Sequence, residues 1–110
     1  MLPSLKEILS HICEEMEFIL QETATKNYDE FLNDRTLKRA VVRSFEIIGE
    51  ASKIIPNDFR SEHPEIDWKG MAGLRDKLIH HYFGIDYELV WDIIIDELPT
   101  QFEFIKHLLN

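Results

Sequence analysis

The chain has 110 residues, 45% of them hydrophobic, with twelve Lys and Arg against twenty-one Asp and Glu, giving a formal charge of −9. That length fits one domain spanning 1–110 with one modest core, and no run reaches the roughly 18 uncharged apolar residues of a membrane span. The acidic balance excludes gripping nucleic acid by bulk charge, since phosphate binding needs a basic face.

The charged N-terminus lacks the uninterrupted apolar centre of a signal peptide, so a cytoplasmic location is expected. Cys13 is the only cysteine, which excludes an internal disulfide and any thiolate-rich zinc arrangement. The five histidines, His11, His63, His80, His81 and His107, show no ligand spacing, and neither a metal nor another cofactor is expected.

Ser4 followed by Glu7 reads as a capping box. Leu5, Ile8, Leu9, Ile12, Met16, Ile19 and Leu20 then recur at helical spacing, with Cys13 inside the stripe as a core residue. Residues 22–34 lose this period and read as a connection with one short turn near Tyr28 to Leu32. A long second helix starts at Asp34 or Thr36, carries Leu37, Val41, Phe45, Ile48, Ser52 and Ile55 on one face, and stops at Pro56. Gly49 inside it costs about 1 kcal/mol relative to alanine, which marks the close approach of another helix.

Between Pro56 and Pro64 there is room for a turn or two of helix. Asp67 caps a third helix running through Trp68, Met71, Leu74 and Leu78 toward Phe83, with Gly84 placed for a left-handed end. Asp86 caps a fourth helix with Tyr87, Val90, Trp91, Ile94 and Leu98 on its apolar face, which Pro99 kinks or divides. Phe102, Phe104, Ile105, Leu108 and Leu109 form a last amphipathic segment. The expectation is an all-α, up-down bundle of four to five helices.

Residues 73–84, GLRDKLIHHYFG, crowd Arg75, Asp76, His80, His81 and Tyr82 into the end of the third helix. Asp76 and His80, four apart, can meet; Arg75 and His80, five apart, diverge by about 140° on an ideal helix. An isologous pairing of two copies would resolve this by bringing two arginines and two histidines around one groove. An arginine fork can hold a phosphodiester and its growing charge, and an imidazole can take or give a proton near neutral pH. From residue types alone these side chains also suit a solvated helix end favoured by the dipole. Arg35, Lys38, Arg39 and Arg43 form a row on the second helix; Arg39 and Arg43 are candidate contacts for nucleic-acid phosphates, or part of a solvated face paired with Glu46.

Arg75, His80 and Tyr82 spell R-x4-H-x-Y. Together with RSFEIIGEASKIIP at 43–56 and HPEIDWKGMAGLRDKLIHHYFGIDYELVWDIIIDELP at 63–99, the chain resembles the HepT branch of the HEPN superfamily over nearly its whole length. The resemblance implies a homodimeric helical bundle acting as an endoribonuclease toxin without metal, with Arg75 and His80 as the catalytic pair. It implies 2′-hydroxyl attack on the adjacent phosphate, leaving a cyclic phosphate and a free 5′-hydroxyl. It further implies a nucleotidyltransferase antitoxin partner of the MntA kind that transfers AMP to Tyr82, blocking the RNA groove with charge and bulk.

Where HepT relatives often carry asparagine after the arginine, this chain has Asp76, whose charge opposes phosphate unless it orients or charges His80, and it is assigned a supporting role. The competing reading is a non-catalytic helical dimer that binds a nucleotide or docks a nucleotidyltransferase. A generic helical adaptor would leave the polar crowding at 73–84 without a reason.

Overall fold

The computed structural model describes residues 2–81 and 83–110, and every helix and bond below belongs to them. The capping box of Ser4 and Glu7 starts α1, Leu5–Thr23, and the stripe lands as expected: Leu9, Ile12, Met16 and Ile19 are buried. Cys13 lies half-buried against the same core.

The connection after α1 holds a helix of its own, α2, Tyr28–Asn33, because Asn27 and Glu30 make a second capping box. Its Phe31 is fully buried and meets the rings of Tyr87 and Trp91. Asp34 caps α3, Arg35–Ile54, and α4, Asn57–Glu62, fills the space between the two prolines.

The next helix, α5, Trp68–His80, is fixed at its start from two sides. The Asp67 carboxylate accepts from Gly70 N–H at 2.9 Å, and the Asp67 N–H donates to Gln101 Oε1 at 2.8 Å. The Trp68 indole N–H donates to the His63 carbonyl at 3.1 Å.

The end of α5 departs from expectation. The helix stops at His80, short of Phe83, and no described glycine has a positive φ, so Gly84 is not a left-handed cap. Beyond the helix the Gly84 N–H donates to the His81 carbonyl at 2.9 Å. Pro99 divides the last helical stretch: α6, Tyr87–Asp96, ends at Glu97, and α7, Leu98–Leu109, begins with the proline in its first turn, where its missing N–H costs nothing.

The expected all-α bundle is therefore present, as seven helical segments among the described residues once α2, α4 and the α6/α7 division are counted. The long α3 is its centre, with α1 against one flank and α5 against the other. The most extensive helix packing is α3 on α5, and it is tight. A Cβ built at Gly49 would stand 2.2 Å from Arg75 Cβ and 2.7 Å from the Met71 carbonyl oxygen, so only glycine admits α5 at this distance. That crossing carries Arg75 into the site.

Candidate active site

Because its stem lies on Gly49, Arg75 reaches along α3 toward Glu50, one residue further on. Its Nη2 pairs with Glu50 Oε2 at 3.1 Å, and its Nη1 donates to Asp76 Oδ1, also at 3.1 Å. The same Asp76 oxygen accepts from Lys53 Nζ at 2.6 Å. Two cations and two carboxylates thus alternate across the α3–α5 crossing. The hydrogen bond from Lys53, and then that from Arg75, holds the Asp76 carboxyl below its ordinary range.

The spacing of Asp76 and His80 brings them together through the backbone. His80 Nδ1 lies 2.8 Å from the Asp76 carbonyl oxygen. A carbonyl oxygen only accepts, so Nδ1 carries the proton in this bond. In the neutral ring Nε2 then holds the lone pair, which is the form a general base needs. The Asp76 carboxylate is taken up by Lys53 and Arg75.

Arg75 and His80 do not meet within one chain: among the described residues no hydrogen bond joins them. Arg75 lines a groove of about 270 Å³ along the outer face of α3, shared with His11, Arg43, Glu50, Ile54 and Ile79. His80, exposed at the end of α5, is not part of its lining. Ile54 and Ile79 are 53% and 37% exposed, an apolar strip between charges of both signs.

The basic row of α3 separates. Arg43 enters the Arg75 groove, Arg39 is exposed, and Lys38 sits 4.5 Å from the centre of the Tyr87 ring. Tyr82 lies outside the described residues. A second cavity, of about 500 Å³, opens between α5 and the α6/α7 pair over Phe45, Leu74, Ile93 and Leu98; neither Arg75 nor His80 lines it.

Sequence reasoning passed over Glu50 and Lys53. The signal available was Gly49: a residue flanking a close helix crossing must lie beside whatever the crossing helix presents, here Arg75 and Asp76.

An all-helical bundle with an exposed imidazole at the end of α5 and a half-buried guanidinium at the α3–α5 crossing is a small helical protein carrying groups suited to phosphodiester chemistry. The particular family follows from comparison. Residues 12–108 match the HepT-like family, described as Ribonuclease HepT-like, and the chain belongs to it. It is similar to "Putative RNase MJ0127" of Methanocaldococcus jannaschii, 48% identical over 105 residues, covering 96% of this chain and 87% of that protein. It is also similar to "Putative RNase TTE0752" of Caldanaerobacter subterraneus subsp. tengcongensis, 45% identical with 93% and 91% covered. "Probable ribonuclease HepT" of Thermococcus cleftensis is 47% identical, with 86% of each chain covered. No solved structure matches this chain.

Proposed function

We propose that this single-domain protein is a cytoplasmic, metal-independent endoribonuclease toxin whose active site is composed by two copies of the chain. One guanidinium holds the scissile phosphate. A His80 Nε2 takes the proton from the ribose 2′-hydroxyl, whose oxygen attacks that phosphorus, and the P–O5′ bond breaks. The leaving 5′-oxygen takes a proton from solvent water and Nε2 later releases the one it took, so the products are a 2′,3′-cyclic phosphate and a 5′-hydroxyl.

The observation that carries this reading is the bond from His80 Nδ1 to the Asp76 carbonyl, because it presents Nε2 as a base. Pairing of two copies is supported by the groove beside Arg75. Its lining mixes Ile47, Ile54 and Ile79 with Arg43, Arg75, Glu46 and Glu50, so a second copy related by a two-fold axis can meet apolar surface and charges of both signs with its own. Family membership supports RNA as substrate. Arg39 and Arg43 then supply the local basic charge that the −9 total withholds.

In the same reading a nucleotidyltransferase antitoxin silences the enzyme by placing AMP on Tyr82, and no part of the cycle involves a membrane. Among the described residues no helix is long and apolar enough to cross one.

The test is RNA cleavage by purified protein in excess chelator, with His80→Ala alongside. Cleavage by the wild type and none by the folded variant is expected. Cutting that survives the substitution removes His80 from the mechanism. An inert wild type at high concentration, with normal partner binding, instead favours the non-catalytic dimer, the reading that the acidic net charge suits.

A further inference from the structure

We propose that Lys53 is a positioning residue of the Arg75 site: by holding the Asp76 carboxylate it cancels a charge that would repel RNA phosphate and frees Arg75 to receive it. This rests on Arg75 as the phosphate ligand.

The problem it answers is set by Asp76. A carboxylate next in sequence to a phosphate-binding arginine, and bonded to it at 3.1 Å, competes with the substrate for the guanidinium and opposes the substrate's charge. Glu50 competes in the same way from the other side at 3.1 Å. Arginine has five N–H donors; the hydrogen bond to Asp76 uses one, and Glu50 forms an ion pair at the other terminal nitrogen. Without a further cation, Arg75 would face two carboxylates, and its surroundings would carry net negative charge.

Lys53 reverses that balance. It stands one helical turn beyond Glu50 on α3, so its Nζ reaches across to α5 and takes Asp76 Oδ1 at 2.6 Å, closer than the 3.1 Å from Arg75. The quartet becomes neutral, and the oxygen that would otherwise rest on Arg75 alone is shared. When phosphate arrives, Asp76 can release the guanidinium without losing its counter-charge.

A role confined to stability fits poorly. The Lys53 and Asp76 side chains are 37% and 46% exposed, and ion pairs so open to solvent contribute little to folding.

The experiment compares steady-state cleavage of a single-stranded RNA oligonucleotide at low salt by the wild type, Lys53→Met, Lys53→Arg, Asp76→Asn and the Lys53→Met/Asp76→Asn double variant. Methionine keeps most of the lysine stem; Lys53→Gln runs in parallel should it not fold. KM is expected to rise about fivefold in Lys53→Met with kcat within about twofold, and Lys53→Arg to restore KM. With Asp76 uncharged there is nothing left to neutralise, so the effect of Lys53→Met should shrink below about twofold in the Asp76→Asn background.

An unchanged KM in Lys53→Met overturns the proposal. So does an equal loss in both backgrounds, which would make Lys53 a direct phosphate contact. His80→Ala separates the levels: if it cuts like wild type, the active-site reading falls and this inference with it. If it is inert while Lys53→Met is unaffected, only the role of Lys53 falls.

Discussion

Gly49→Ala tests the geometry on which the site is built. Helix propensity alone would favour alanine by about 1 kcal/mol. The crossing opposes it: the new methyl would lie 2.2 Å from Arg75 Cβ, 2.7 Å from the Met71 carbonyl oxygen and 3.0 Å from Arg75 Cγ. Carbon atoms prefer about 3.5–4 Å. Two of these neighbours are a backbone oxygen and the first side-chain carbon, neither of which can rotate away, so α5 must retreat from α3 by about 1 Å. Overpacking of this kind costs about 1–3 kcal/mol, which exceeds the propensity gain or roughly equals it.

The net loss expected is about 1 kcal/mol, or a melting temperature lower by about 4–8 °C for a domain of this size. The larger effect falls on chemistry, because a displacement of about 1 Å at a positioned group can cost about a hundredfold in rate. Thermal denaturation and RNA cleavage on the same preparation read both. A variant as stable as the wild type with undiminished cleavage would refute the claim that this crossing sets the position of Arg75.

Two further outcomes follow from packing and charge. Phe31→Ala removes a fully buried ring that sits 5.2 Å from Trp91 and 6.2 Å from Tyr87, so unfolding in urea should show about 3–5 kcal/mol lost; under 1 kcal/mol would mean α2 does not anchor on α6. The Asp76 carboxyl is depressed when folded, so its contribution is present above its unfolded pKa of about 3.9 and disappears as pH falls through the lower folded value. The stability gap between wild type and Asp76→Asn, small for pairs so open to solvent, should therefore hold steady from pH 7 to 5 and close below about pH 4, and a gap indifferent to acid would contradict the ion-pair account.

What could be read from the sequence was what neighbouring residues decide among themselves. Ser4, Asp67 and Asp86 announce their helices because each needs only a carboxylate or hydroxyl three residues from an N–H, and all three make that bond. Asn27 and Glu30 do the same for α2; that box was legible too, although the loss of apolar period around it reads as a connection. The end of α5 was not legible. Gly84 permits a left-handed cap without requiring one, and its N–H bonds the His81 carbonyl without a positive φ.

The site divides along the same line. Arg75 and His80 stand out because titratable groups crowd a helix end, and Gly49 forecast the close crossing. Spacing of four suggested a carboxylate for His80, but the structure gives it the carbonyl, since Lys53 claims the Asp76 side chain from 23 residues away. No local pattern encodes that bond; it exists only once α3 and α5 are packed. Glu50 was hidden for the same reason, being half of a pair whose other half is supplied by the crossing helix.

The most direct test of an active site composed by two copies is complementation between two dead proteins. Arg75→Ala and His80→Ala, each expected to be inactive alone, are mixed under conditions that exchange subunits, and RNA cleavage is followed. If each site takes its arginine from one copy and its histidine from the other, half the dimers are mixed and each has one intact site, so activity should return to about a quarter of wild type. A mixture that exchanges subunits yet stays as inactive as its components would contradict the composite site.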